Sequence, residues 1–206
     1  MDTVHAPGYD ARWGSYINRS HRECAEALIA RLPRGSTVLD AACGTGKYWE
    51  MLQAAGIDVV GSDQSKVMLE VATRKHPAVV VSHSALQDLA SRPDLAGAMD
   101  GLLCVDAMEN VGPEDWPQVL DGFAAVLRPG APAYVTVELP DDQVVMDAAA
   151  ASAPLVPGEV LEDGGYHFYP SPDRARGWLV EHGFRVWSEV EGDGYHHFLL
   201  DRREPA

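Results

Sequence analysis

Val38-Leu39-Asp40-Ala41-Ala42-Cys43-Gly44-Thr45-Gly46, followed about twenty residues on by Val59-Val60-Gly61-Ser62-Asp63, decides how this chain folds. An apolar strand runs into two glycines and then into the helix-like run Lys47 to Ala55, and a second apolar strand ends on a carboxylate. Glycine has no Cβ, so the backbone at Gly44 and Gly46 passes close to a ligand. A carboxylate at the end of the next strand accepts hydrogen bonds from both hydroxyls of a ribose. Together the two stretches describe a nucleoside pocket.

What the turn lacks narrows the nucleoside. A dinucleotide fingerprint requires G-x-G-x-x-G, and counted from Gly44 the third glycine is replaced by Trp49, whose bulk opposes close helix-to-strand packing. A phosphate-cradling loop requires G-x-x-x-x-G-K-[ST]; Gly46-Lys47 match its end, but Ala41 stands at its first glycine and Tyr48 at its hydroxyl residue. Asp40, just before the turn, repels a pyrophosphate and suits a ligand with a cationic or amino group. S-adenosylmethionine is such a ligand.

At these residues the chain resembles the class I S-adenosylmethionine-dependent methyltransferases, whose first motif reads roughly (D/E)-x-G-x-G-x-G against Asp40-Ala41-Ala42-Cys43-Gly44-Thr45-Gly46. Ala42 departs from the first glycine by one methyl group, which implies a slightly tighter approach to the methionine part of the cofactor. Asp63-Gln64-Ser65 is similar to the family's ribose-binding acid, adenine-packing residue and helix cap. Met99 to Asp106 matches its fourth strand, and Leu127-Arg128-Pro129-Gly130 the turn before its fifth. The similarity covers about Tyr9 to Glu138 well.

The bulk properties agree. A chain of 206 residues with 46% hydrophobic composition has room for one core, so one domain is expected over 1–206. Within it, an N-terminal lid and helix take about 1–32, a cofactor-binding core about 36–138, and an acceptor loop with a closing hairpin about 139–202. No apolar run is long enough to span a bilayer, and Met1-Asp2-Thr3-Val4-His5 lacks the basic and apolar regions of a signal peptide, so a cytoplasmic protein with no membrane partner is expected. Cys24, Cys43 and Cys104 are scattered without C-x-x-C spacing in apolar runs, which predicts neither a disulfide nor a metal site. With 16 basic residues against 31 acidic ones and a net charge of -15, the chain is a poor partner for DNA or RNA. The acidity itself reads as solubility.

Strand and helix patterns alternate, as in a parallel sheet covered on both faces. Helices are expected at Ser20 to Leu32, Lys47 to Ala55, Ser65 to Lys75, Glu114 to Leu127 and Pro172 to His182, and a short one at 148–153, where alanine dominates. Strands are expected in the apolar run before the glycine turn and at Ile57 to Gly61, Ala78 to Val81, Met99 to Val105, Ala133 to Glu138, Phe184 to Glu191 and Tyr195 to Asp201. The fold class is therefore α/β, a doubly wound, Rossmann-like sheet. The resemblance implies seven strands, mostly parallel, closed by a C-terminal antiparallel hairpin.

In such sheets the ligand lies beyond the carboxyl ends of the strands. Candidate cofactor-binding residues are accordingly Asp40, Ala42 and Gly44 after the first strand, Asp63 and Gln64 after the second, Ser84 and Ala85 after the third, and Asp106 after the fourth. Ser84 stands where the family often has an aspartate on the adenine amine; that contact is weaker here, is supplied by Gln87 or Asp88, or is absent from a plain surface turn. Asp106 to Asn110 marks where the resemblance puts the methyl group, and Glu109 and Asn110 either face the acceptor or cap the turn Val111-Gly112-Pro113. Tyr16, with Tyr9 and Trp13, either joins an aromatic lid over the cofactor, as in related methyltransferases, or anchors the first helix to the core.

The segment Leu139 to Ser171 is interrupted by prolines and glycines and reads as an acceptor-binding loop. Within it His167 of Tyr166-His167-Phe168-Tyr169 is the catalytic candidate, because histidine accepts a proton near neutral pH; it is otherwise a hydrogen-bonded core residue. His196 and His197 are weaker candidates, since neighbours on a strand face opposite ways. The expected reaction is in-line displacement of S-adenosylhomocysteine by a small-molecule acceptor, in which positioning and exclusion of water dominate and a dedicated base is dispensable. Two other readings stay open: a non-catalytic S-adenosylmethionine-binding subunit of a partner protein, and a nucleotide-dependent oxidoreductase of Rossmann type.

Overall fold

The computed structural model describes residues 6–140, 156–162 and 165–204. Strands β1 (Thr37–Ala41), β2 (Asp58–Asp63), β3 (Val80–His83), β4 (Gly101–Cys104) and β5 (Pro132–Glu138) alternate with helices α3 (Trp49–Ala54), α4 (Lys66–Lys75) and α5 (Trp116–Val126). Helices α1 (Ala6–Trp13) and α2 (Arg19–Ile29) precede them. A two-stranded hairpin, β6 (Glu159–Glu162) and β7 (Gly165–Phe168), leads into α6 (Pro172–Glu181) and the closing pair β8 (Phe184–Gly192) and β9 (Tyr195–Arg202). The main sheet has seven strands in the order β3-β2-β1-β4-β5-β9-β8. Strands β1 to β5 pair in parallel, and β9 runs antiparallel between β5 and β8. The expected α/β class, the seven strands and the terminal hairpin are all present. Because β2 and β4 flank β1 on opposite sides, the sheet reverses its winding there, and a crevice opens at the carboxyl ends of β1 and β4.

Local chemistry sets the element ends. Asn18 caps α2 by accepting from the His21 amide, Ser65 caps α4 through the Met68 amide, and Ser171 caps α6 through the Arg174 amide, with Pro172 in its first turn. Each helix then buries one stripe. On one face of the sheet α5, α6 and Phe168 of β7 form a core around Trp116, Phe123, Leu179 and Phe198. On the other, α2, α3 and α4 close over Leu28, Val38, Trp49, Leu52 and Tyr134. Each large side chain buried here contributes about 1.5–3 kcal/mol.

Three expectations are corrected. The helix after the glycine turn begins at Trp49 and not at Lys47, because Gly46 takes φ +79 and its amide closes a tight turn on Cys43 O at 2.9 Å. Strand β3 starts at Val80 and not Ala78, since the chain leaving α4 turns once more through the bond from Val79 N to His76 O. Tyr166-His167-Phe168 lies on a strand and not in an irregular loop: β7 pairs with β6, and fully buried Phe168 packs edge-on to Trp116. The helix expected at 148–153 lies outside the described residues.

Trp49 fits where bulk was expected to interfere because two glycines clear its space. A Cβ on Gly46 would lie 2.7 Å from its Cδ2, and one on Gly61 of β2 would lie 2.5 Å from its Cζ2. Gly61→Val is therefore expected to destabilise the protein by at least about 1–3 kcal/mol. Gly177→Ala, at an exposed position of helix α6 with open space around the new methyl, is expected to stabilise it by about 0.4–1 kcal/mol. Urea denaturation midpoints check both; equal midpoints for the two variants would refute the packing account.

Candidate functional site

The glycine turn is built by backbone conformation and pinned by one carboxylate. Ala42 (φ +60), Gly44 (φ +55) and Gly46 (φ +79) all occupy the left-handed region, which for alanine costs about 1–2 kcal/mol. Asp63, at the end of β2, accepts from Gly44 N at 2.8 Å through Oδ2 and from Ser65 N at 2.7 Å through Oδ1. It therefore orders the turn and starts α4 at once. Burial raises its pKa, against the pull of those two amides. A Cβ on Gly44 would meet nothing within 4 Å, so this residue faces open space beside a carboxylate that still has lone pairs to offer.

Beneath the turn Asp40, 3% exposed, accepts from Trp49 Nε1 at 2.8 Å. Burial pushes its carboxyl up to about 7; the indole bond and the Lys47 charge oppose this, and the Asp63 charge adds to it.

Beyond β4 the chain kinks at Asp106 (φ +54), whose amide donates to Thr136 Oγ1 on β5 at 3.0 Å. Its carboxylate receives His21 Nε2 at 2.9 Å and Lys47 Nζ at 3.2 Å, and bonds to Tyr195. Burial works to raise the Asp106 pKa, but His21 and Lys47 hold it below the usual range. His21 also meets Asn18 Oδ1 through Nδ1 and packs edge-on against Tyr195 and His197, with centroids 4.6 and 4.9 Å away. Asp106 thus joins the glycine turn, α2, β5 and the terminal hairpin at one point. Three residues after it, Glu109 is 8% exposed; burial, then the charges of Glu138 and Asp106, push its carboxyl up to about 8. Asn110 donates to Ala107 O at 3.3 Å and to Glu109 Oε1 at 3.0 Å, so its side chain bonds back into its own 3-10 turn.

The other candidates fall as follows. Gln64 is exposed, and its carbonyl meets His83 Nε2 at 2.9 Å. Ser84 and Ala85 are half-buried at the start of a 3-10 turn (Leu86–Ser91), with Ser84 N bonded to Asp63 O at 3.1 Å, beside the ribose candidate. Gln87 is engaged with Asp115 at 2.9 Å. Tyr16 and Trp13 are 57% and 40% exposed and meet each other edge-on, so they do not anchor a helix to the core. Helix α1 is held instead by Lys75 of α4, whose Nζ reaches Asp10 Oδ1 at 2.8 Å and Thr45 O of the turn at 3.1 Å. His167 is half-buried and stacked on Tyr169, with Nδ1 buried and without a partner. His196 and His197 are hydrogen-bonded core residues, to Glu189 at 3.0 Å and to Tyr134 OH at 2.8 Å. His21, Lys47 and Tyr195 were not among the sequence candidates; His21 sits in the buried stripe of α2 like any core residue, and only packing shows its partner. Among the described residues no group of three metal-ligating side chains occurs, and no helix is long and apolar enough to cross a membrane.

This strand order and glycine turn define a nucleoside-binding α/β domain, and the comparisons with known proteins say which. A family model described as a methyltransferase domain matches residues 38–130. The demethylmenaquinone methyltransferase of Thermus thermophilus is 31% identical over 200 residues, 89% of this chain and 86% of that protein. A dTDP-4-amino-2,3,4,6-tetradeoxy-D-glucose N,N-dimethyltransferase of Saccharopolyspora spinosa is 31% identical over 55% of this chain and 45% of its own length. The chain thus spans less than half of the aminosugar methyltransferases that it matches. The crystal structure of Burkholderia thailandensis 1,6-didemethyltoxoflavin-N1-methyltransferase, with 1,6-didemethyltoxoflavin and S-adenosylhomocysteine bound, shares the fold with a TM-score of 0.69 at 18% identity, over 98% of this chain and 88% of that one. The chain belongs to the class I S-adenosylmethionine-dependent methyltransferases. The residues present fit that cofactor: Gly44 leaves its side open, and the buried Asp63 carboxylate stands next to it.

Asp40 carries a measurable signature. Its folded pKa, about 7, lies above the unfolded value near 3.8, so the stability it contributes is complete below about pH 4 and is lost as pH rises through 7. In ligand-free protein, Asp40→Asn should keep the bond from the indole and shed this loss. Its stability relative to wild type should then rise between pH 5 and pH 8, by at most about 1.4 kcal/mol per pH unit. Chemical denaturation at several pH values checks it, and a pH-independent difference would remove Asp40 from the account.

Proposed function

We propose that the chain, as one domain over 1–206, transfers a methyl group from S-adenosylmethionine to a small-molecule acceptor. The observation that carries this reading is the pairing of the open side of Gly44 with the Asp63 carboxylate at the head of the crevice. Asp63 holds the ribose hydroxyls, Gln64 with Ser84 and Ala85 borders the adenine, and Ala42 and Gly44 line the methionine part, with Asp40 contributing negative charge from below. Tyr16 closes over the cofactor from the junction of α1 and α2. The cofactor supplies an electrophilic methyl group on a sulfonium, so the chain's task is to orient the acceptor and exclude water. Asp106, fixed by His21 and Lys47, marks the border between cofactor and acceptor. The β6–β7 hairpin walls the acceptor side and presents His167 there. A small acceptor agrees with relatives whose names specify an aminosugar and a quinone precursor, and the net charge of -15 disfavours nucleic acid. The same composition suits a cytoplasmic location.

Incubation with S-adenosylmethionine and a metabolite panel, read by mass spectrometry, should yield a product heavier by one methyl group and S-adenosylhomocysteine. Binding without turnover across a broad panel would favour a non-catalytic subunit. Asp63→Ala should weaken S-adenosylhomocysteine by about tenfold or more, since hydrogen bonds to charged groups contribute about 1.5–3 kcal/mol, and Gly44→Val should abolish binding; calorimetry on folded variants checks both. His167→Ala should lower turnover while cofactor affinity holds. Wild-type turnover would make His167 structural, and loss of both would place it in the cofactor half.

A further inference from the structure

We propose that Glu109 is the acceptor anchor: its unpartnered carboxyl oxygen binds the ammonium group of an amine acceptor and takes the proton that the nitrogen must lose. The inference rests on the functional reading above and narrows its acceptor class. Glu109 lies in the short 3-10 turn Met108–Asn110 that follows Asp106. Its Oε1 accepts from Asn110, whereas Oε2 is buried without a hydrogen-bond partner. A buried carboxyl oxygen left unsatisfied is costly and calls for a donor.

Its surroundings define that donor. Asp106 and Glu138 of β5 are the charges felt by Glu109, and Tyr195 of β9 feels Asp106, Glu138 and Glu109 together. The Lys47 amine and the His21 ring are both engaged by Asp106. An anionic acceptor is therefore repelled, and an alcohol or phenol brings one donor and no charge. An ammonium group brings several donors and the missing positive charge.

The same environment fits Glu109 for the proton. Burial and the two neighbouring carboxylates push its carboxyl up to about 8, so near neutral pH it competes with an ammonium for one proton. The N–H bond breaks with its electron pair left on nitrogen as the nucleophilic lone pair, and an O–H bond forms on Glu109. The carboxyl returns its proton to solvent after the product leaves. The titratable groups that act on it are Asp106 and Glu138, it acts in turn on Tyr195, and β7, the strand that carries Tyr166 and His167, packs against its turn.

The test uses wild type and Glu109→Gln, each saturated with S-adenosylhomocysteine, titrated calorimetrically with cyclohexylamine and with cyclohexanol. Wild type should prefer the amine by roughly tenfold or more, and Glu109→Gln should lose that preference while its affinity for S-adenosylhomocysteine stays unchanged. Equal binding of the two probes to wild type, or a preference retained in Glu109→Gln, overturns the proposal. Failure of wild type to bind S-adenosylhomocysteine overturns the functional reading and this one with it. Should Glu109→Gln not fold, carbon-13 titration of Glu109 in wild type decides: a midpoint near 8 that falls on adding the amine supports the proposal, and an ordinary carboxylate midpoint overturns it.

Discussion

Trp49 donates its indole N–H to Asp40 under the glycine turn, at 2.8 Å and shielded from water, with its ring filling the space that two glycines leave open. The rest of the site hangs from this wedge. Helix α3 is only six residues long and cannot be stable alone, so burial of Trp49 fixes where it starts and how the turn before it lies. With the turn fixed, the Gly44 amide meets Asp63 and the Lys47 amine meets Asp106, so the two strand-end carboxylates are tied to one short loop.

Strain is concentrated at the same place. Among the described residues, three non-glycine positions take positive φ, and two of them, Ala42 and Asp106, sit at the ends of β1 and β4 where the crevice opens. Each costs free energy that the neighbouring packing must outweigh. Ala42 leaves β1 for the glycine turn, and Asp106 turns the chain after β4 so that its amide reaches Thr136 and its carboxylate reaches His21. The crevice is thereby flanked by two halves: one of backbone amides and one carboxylate, where the cofactor is proposed to sit, and one of side chains from α2, β5, β9 and the turn after β4, where the acceptor is proposed to sit. The two halves differ in polarity as well. The first depends on open backbone, whereas the second gathers Asp106, Glu109 and Glu138 against Lys47 and His21.

By itself the sequence determined the sheet, its winding and the glycine turn with its facing acid, because those depend on local signals: apolar runs of strand length, glycines where φ must be positive, and an acid at a strand end. Asp40, Gly44 and Asp63 are legible for that reason, and the family resemblance rests on the same residues. It misplaced the start of α3, since Lys47 has ordinary helix propensity and only the left-handed Gly46 holds it out. It also read β7 as loop, because a strand whose partner is a short neighbouring hairpin arm shows no long alternation. Tertiary structure alone decided the cluster around Asp106. His21 and Asp106 are 85 residues apart, Tyr134 and His197 are 63 apart, and nothing in their neighbours marks either pair. Their chemistry comes from desolvation and from charges brought close by packing, which no single stretch of chain carries, and so the buried carboxyl of Glu109 with its open oxygen becomes visible only once the sheet has closed around it.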